Sequence, residues 1–205
     1  MPNPWLEIPL ADYEAHMAAV RQLELLSDLF AEALAVRRPG SVAVLGVAGG
    51  NGLERIDSRL TRRVVGIDIH PEYLEAVGSR YADLAGLELH CIDLSQQAVQ
   101  IPPVDLVHAA LVFEHAGTDR ALENAVSLVA ADGALSVVLQ LPSPSEQEIG
   151  PSGVASILLL KDHFSPIAPL RLHEKLHQRG LQPVWETQRT LPAGKSFWMG
   201  VFLRA

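Results

Sequence analysis

The sequence is poor in cysteine, basic residues and long apolar runs, and each shortage removes a class of function. The single cysteine, Cys91, can form neither an internal disulfide nor a cluster of thiolate metal ligands. A cytoplasmic address is expected. Lys and Arg total 16 against 24 Asp and Glu, a formal charge of -8, which repels a phosphate backbone. Nucleic acid is therefore not an expected partner. No window approaches the about eighteen consecutive apolar residues that span a bilayer, and the opening MPNPWLEIPL lacks a basic segment followed by an apolar stretch. Neither secretion nor membrane insertion is expected.

What is present is an ordinary globular balance, 48% hydrophobic and 20% charged over 205 residues, enough for one sizeable core. One domain, 1–205, is the expectation. Tyr13, Met17, Val20, Leu26, Leu29, Phe30 and Leu34 recur at spacings of three and four, which predicts one or two amphipathic helices over 12–37, ended by Pro39 and Gly40. Five short apolar runs follow, at 41–48, 63–69, 87–93, 104–113 and 134–141. Runs of this kind suit strands covered on both faces, and their alternation with helical segments implies a parallel sheet. The helices expected between them are 51–60, 71–84, which opens with Pro71, and 118–130, closed by Asp132 and Gly133. Residues 142–153, rich in proline, glycine and serine, read as a loop, and the two segments flanking LPAG at 191–194 read as an antiparallel hairpin.

The most informative stretch is VAVLGVAGGNGLE, 42–54, in which a buried strand runs into Gly46, Gly49, Gly50 and Gly52. Such a turn lets backbone N–H groups approach a ligand closely. A P-loop ending is absent, since no Lys or Arg lies between Pro39 and Arg55, and no register supplies the G-x-G-x-x-G dinucleotide fingerprint. The second strand ends at Asp68, where a carboxylate reaches the hydroxyls of a bound ribose; Asp68 is also suited to cap the helix at Pro71. Asp93, ending the third strand on the same rim, either accepts from an adenine amino group or caps the following turn.

Together these residues resemble the class I, Rossmann-like S-adenosylmethionine-dependent methyltransferases, from about residue 41 to the C-terminal hairpin. LGVAGG stands at that family's glycine turn, VVGIDI at its acidic ribose-binding strand end, CIDL at its adenine segment, and DLVHAALVFEHA at its fourth strand and following turn. Two positions depart from the pattern: Val44 replaces an acidic residue and Ala48 the middle glycine. The resemblance implies an α/β fold, three-layer and doubly wound, with a mostly parallel seven-stranded sheet, a C-terminal antiparallel hairpin and an N-terminal helical extension. Residues 1–40 would form that extension or lid, and 142–166 a loop insertion in the core.

By the same resemblance Gly46, Ala48 and Gly50 would face the methionine and ribose of S-adenosylmethionine. Asp68 would take the ribose hydroxyls, Ile69 would lie against adenine, Asp93 with Leu94 would meet the adenine edge, and Ala109 and Ala110 would lie near the methyl donor. The product would be S-adenosylhomocysteine. A sulfonium cation with no phosphate suits a glycine turn without a basic partner and a rim bearing Asp68, Asp93 and Glu114.

For catalysis the candidate is His115, a base beside Glu114 that titrates near neutral pH, although the pair could equally cap the next helix. Tyr13 and His16 share a helix face and either form a lid over the site or pack. His163 and Phe164 follow the proline-rich loop, where this fold attaches substrate-recognising insertions. SILLL, 156–160, either lines an apolar acceptor pocket, joins the core or meets another subunit. The remaining histidines lack metal-ligand spacing, Trp198 is expected in the core, and Cys91 is expected to pack as a small hydrophobe. The function expected is methyl transfer to a small-molecule acceptor. The alternatives are a non-catalytic nucleoside-binding module of the same fold and a small NAD-dependent oxidoreductase.

Overall fold

The computed structural model describes residues 3–142 and 149–204. Seven strands, β1 (Ser41–Leu45), β2 (Arg63–Asp68), β3 (Leu87–Cys91), β4 (Val104–Ala110), β5 (Val129–Gln140), β6 (Leu181–Thr190) and β7 (Ser196–Arg204), form one sheet in the order β3-β2-β1-β4-β5-β7-β6. The first five are parallel, and β7 runs antiparallel between β5 and β6. This is the three-layer, mostly parallel sheet with a terminal hairpin that the sequence predicts. The strand order reverses between β1 and β4, and a crevice opens at the carboxyl ends of strands at such a point.

Period two along a strand sends neighbouring side chains to opposite faces. Ala43 and Leu45 join a core under α5 (Arg120–Ser127) and α6 (Pro169–His177), whereas Val42 and Val44 join one under α2 (Gln22–Arg37) and α3 (Pro71–Arg80). Both faces are dry, which is why the strands read as continuous apolar runs. Leu29 and Phe30 of α2 are almost wholly buried, each contributing roughly 1.5–3 kcal/mol. Of the first forty residues, α2 thus belongs to a covering layer, while the 3-10 turn Pro4–Glu7 and α1 (Leu10–Ala19) reach toward the carboxyl ends of the strands.

Several expectations are corrected. Residues 51–60 hold no α-helix, only a 3-10 turn at Leu53–Arg55. Gly50 and Gly52 have positive φ, and Glu54 accepts the Gly52 N–H (2.9 Å) and the Ser27 hydroxyl (2.7 Å), so side chains hold the loop instead of a helical ladder. The helix expected over 118–130 stops at Ser127, and β5 begins at Val129 and runs through Asp132 and Gly133. The register shifts there, and a Cβ at Gly133 would lie 2.8 Å from the Ala130 nitrogen. Cys91 is exposed because β3 is an edge strand. A 3-10 helix, Ser156–His163, occupies part of the expected loop, whose residues 143–148 lie outside the described residues. α6 had no counterpart in the sequence reading, although Leu172 and Leu176, at helical spacing, are both fully buried. Among the described residues no helix is long and apolar enough to cross a membrane.

Candidate active site

The apolar runs outlast the strands. β1, β2, β3 and β4 end at Leu45, Asp68, Cys91 and Ala110, and the residues beyond them make the rim of a cavity of about 1120 Å³, open mouth included. From β1 the chain turns through Gly46 (φ 64°), with the Gly46 and Val47 N–H groups donating to the Ile67 carbonyl at 2.8 and 3.1 Å. Ala48 follows in the left-handed region (φ 45°), and its N–H donates to Asp68 Oδ2 at 2.8 Å. The methyl side chain is therefore accommodated by a backbone conformation costing an L-residue roughly 1–2 kcal/mol.

Asp68 is 8% exposed and faces the cavity. Its Oδ1 accepts the His70 N–H at 2.9 Å, so each carboxylate oxygen carries one backbone bond and keeps one acceptor site. Burial pushes this carboxyl above the usual range, and the backbone N–H groups of His70, Ala48 and Ile69 pull it back. Asp93 also lines the cavity, while its Oδ1 accepts the Ser95 N–H (2.9 Å) and hydroxyl (2.6 Å). The capping role is thus filled by one oxygen of a residue that also faces the ligand space.

Gly46, Ala48, Ile69, Leu94 and Ala110 line the cavity, whereas Gly50 and Ala109 do not. Gly50 lies behind the turn, its carbonyl accepting the Tyr81 hydroxyl at 2.9 Å, and a Cβ there would come 2.5 Å from Tyr81 Cε2. Arg80 reaches the neighbouring Gly49 carbonyl at 3.1 Å and pairs with Glu14. Both supports come from the end of α3 and were missed by reading the glycine turn alone. Ala109 is fully buried, in the core on the face of the sheet opposite Ala110.

After β4, the single turn α4 (Phe113–Ala116) sends two neighbours in opposite directions. Glu114 does not stand on the rim. It is 1% exposed, its Oε1 accepts the Gln140 N–H at 2.9 Å, and its Oε2 has no hydrogen-bond partner. Burial raises its carboxyl to about 7. His115 lines the cavity between Trp5 and Phe164, with ring centroids 5.0 and 5.3 Å away in edge-on arrangement. Burial lowers its imidazole to about 4, partly offset by a hydrogen bond to the His163 backbone. The His163 side chain is exposed and outside the cavity lining, which Phe164 joins in its place.

The roof is assembled from both ends of the chain. Tyr13, His16 and Met17 of α1 face the cavity, as do Ile157 and Leu160. The Ser156 hydroxyl donates to Asp12 Oδ2 at 2.6 Å, His16 Nδ1 meets Ser152 Oγ at 2.7 Å, and Ile8 packs with Ile157 and Leu160. Tyr73, from α3, donates to the Ile8 carbonyl at 2.8 Å and ties this roof to the floor. Burial and the Asp68 charge raise the Tyr13 hydroxyl, and burial with nearby Lys195 lowers His16.

Sequence reasoning also missed Trp5, Gln140 and Lys195 as lining residues. Gln140 had a legible signal, a polar residue ending an apolar strand on the same rim; Trp5 and Lys195 had none. Among the described residues no group of three or more His, Cys, Asp or Glu side chains is placed to hold a metal ion.

Residues 44–135 match the family model described as a methyltransferase domain. No curated protein matches the chain in sequence. Among solved structures, the chain is similar to the N-methyltransferase NodS from Bradyrhizobium japonicum WM9 in complex with S-adenosyl-L-homocysteine, at 16% identity and a TM-score of 0.67, covering 89% of this chain and 87% of that one. It is also similar to magnesium protoporphyrin IX methyltransferase from Synechocystis PCC 6803, at 14% identity and a TM-score of 0.69, covering 92% and 86%. The [4+2]-cyclase SpnF shares the fold at 13% identity and a TM-score of 0.66, covering 87% and 79%.

Proposed function

We propose that the chain, residues 44–135 of which match a methyltransferase domain, is a class I, Rossmann-like methyltransferase that transfers the methyl group of S-adenosylmethionine to a small molecule by direct displacement. The observation that carries this reading is Asp68. A buried carboxylate with one acceptor site left on each oxygen, beside a glycine turn and facing a cavity, matches the two adjacent hydroxyls of a ribose. When bound, S-adenosylmethionine supplies an electrophilic methyl group on a sulfonium.

The chain's own residues then have distinct tasks. Gly46 and Ala48 let the turn approach the ligand's amino-acid end, while Gly50 holds the turn from behind through Tyr81. Ile69 and Leu94 offer apolar surface to the adenine ring and Asp93 an acceptor to its amino group. Ala110 leaves room for the methyl group, while Ala109 packs in the core on the other face of the sheet. Tyr13 and His16 close the roof, and His163 contributes through its backbone at His115. Asp68 and Asp93, with no cation on the glycine turn, favour a positively charged nucleoside over a dinucleotide phosphate.

Orientation of two bound reactants is worth roughly 7–11 kcal/mol, and a base adds roughly 3–5 kcal/mol where the acceptor must lose a proton. His115, neutral above about pH 4, has a lone pair available for that proton at physiological pH. Glu114 acts on it only as a positioning residue, by tying the turn that carries His115 to the end of β5. The roof, with Ile157 and Leu160 over the cavity, leaves room for a small acceptor and little dedicated surface for a polymer.

Two other activities remain as outcomes of the test, because a [4+2]-cyclase shares the fold and a fold does not by itself dictate chemistry. Calorimetry with S-adenosylmethionine, S-adenosylhomocysteine and NAD is expected to give binding of the first two only. Binding of NAD alone overturns the reading. Methyl-labelled S-adenosylmethionine, incubated with the protein and a metabolite extract, is expected to pass label to a small molecule; binding without transfer would assign the protein to the non-catalytic class.

A further inference from the structure

Gln22 opens α2 at the rim of the cavity and lines it. The residue is 4% exposed. Among the described residues no group hydrogen-bonds its side-chain amide, yet neither amide atom is walled off by protein. The amide therefore faces the ligand space with two N–H donors and a carbonyl to offer. Holding such a group away from bulk water costs free energy until a partner arrives, and an apolar side chain of similar length would fill the place without that cost. Its position calls for a ligand that accepts hydrogen bonds.

The backbone around Gln22 adds donors of the same kind. The chain leaves α1 through Arg21 in the left-handed region (φ 59°) and enters α2 with no side chain capping the first turn. α2 has sixteen residues and packs over β4 and β5, and with Gln22 at the rim the positive end of its dipole stands at the cavity. The N–H groups of a first turn have no carbonyl partner within their own helix, and an anionic oxygen suits them. Gln140, which ends β5, and Lys195, next to the start of β7, line the same cavity.

Resting on the methyltransferase reading for what enters the cavity, we propose that Gln22 and the first turn of α2 form a carboxylate subsite, with the Gln22 amide nitrogen donating to a carboxylate oxygen. Such a group has two sources. S-adenosylmethionine brings one on its amino-acid end, and the glycine turn holds no cation for it, since no Lys or Arg lies between Pro39 and Arg55. An acidic acceptor brings another. The chemistry of recognition is the same for both, and the binding measurements below tell them apart.

The test is calorimetric and needs no turnover. Wild-type protein and Gln22→Met, which keeps the length of the side chain and removes its donors, are titrated with S-adenosylhomocysteine and with its decarboxylated analogue, 5′-(3-aminopropylthio)-5′-deoxyadenosine. Both proteins, saturated with S-adenosylhomocysteine, are then titrated with benzoate and with benzamide, its uncharged counterpart. If the subsite holds the donor's carboxylate, Gln22→Met is expected to weaken S-adenosylhomocysteine at least tenfold and its decarboxylated analogue by less than about threefold. If it holds an acceptor's, the tenfold loss is expected for benzoate, with benzamide and S-adenosylhomocysteine unchanged. Affinities for both acids that stay within about threefold of wild type overturn the proposal, as does an equal loss for each acid and its counterpart. Should Gln22→Met fail a thermal melt, Gln22→Glu replaces it, because an acidic side chain suits a helix N-terminus; it removes the same donors and repels a carboxylate, so the same losses are expected. If wild-type protein binds no S-adenosylhomocysteine, the methyl-donor reading falls by itself, and benzoate against benzamide on the free proteins still decides the subsite.

Discussion

Replacing Asp68 by alanine is expected to weaken S-adenosylhomocysteine binding by roughly a hundredfold, about 3 kcal/mol. The carboxylate has one acceptor site left on each oxygen, because Ala48 and His70 occupy the others. A hydrogen bond to a charged group contributes about 1.5–3 kcal/mol, and two ribose hydroxyls would give up to twice that before water and loop relaxation recover part. The same substitution strips two backbone N–H groups of their acceptor, so affinity alone would mix ligand and loop effects. A thermodynamic cycle separates them, since both ligands meet the same altered loop. Wild-type protein is expected to bind adenosine at least tenfold more tightly than 2′-deoxyadenosine, and Asp68→Ala to bind the two within about threefold. Calorimetry measures all four constants, and a thermal melt reports folding. An equal adenosine preference in both proteins would refute the assignment. The pH dependence has a definite sign. Burial raises this carboxyl in the free protein, and hydroxyl donors favour its ionised form. Affinity should therefore be full above the raised value and fall as pH drops through it, by at most about tenfold per pH unit.

Two further predictions concern stability. Ala48→Gly relieves roughly 1–2 kcal/mol of left-handed strain at φ 45° while the more flexible unfolded chain takes back about 0.4–1 kcal/mol. Urea unfolding should show a gain of under about 1 kcal/mol with S-adenosylhomocysteine affinity retained; a loss beyond about 1 kcal/mol would refute the strain. Glu114, 1% exposed and raised from 4.5 to about 7, holds its proton more tightly folded than unfolded. Its contribution is complete below pH 4.5 and is lost as pH rises through about 7. The stability of wild type relative to Glu114→Gln should fall by about 2–3 kcal/mol between pH 5 and 8, measured by urea unfolding at each pH, and a flat difference would refute the burial argument.

The alternation of apolar runs with helical segments was legible because strands dry on both faces need unbroken apolar sequence, and the mostly parallel seven-stranded sheet with its terminal hairpin followed from that alternation and the resemblance its motifs carry, whereas the strand order came only from the structure. Val42 and Ala43 show the cost of this simplicity: both are apolar, and only packing shows which helices each one meets. Residues 51–60 show the opposite failure. Their pattern suits a helix, but tertiary bonds from Glu54 to Ser27 and from Asn51 to Leu23 hold a loop. The strands also stop short of their apolar runs, since the last residues of each run serve the rim and not the ladder.

The sequence by itself determined the turn chemistry and the carboxylate that ends β2, because glycine, strand end and acid are local and their spacing is covalent. It could not determine which of two adjacent residues, Glu114 or His115, faces the cavity, because one helical turn sends them to opposite sides and only the packing of β5 and Trp5 selects which is which. Nor could it assemble the roof, in which Asp12 meets Ser156 and His16 meets Ser152. Those contacts join segments far apart along the chain, and their energy exists only once the sheet has brought both ends to the same rim.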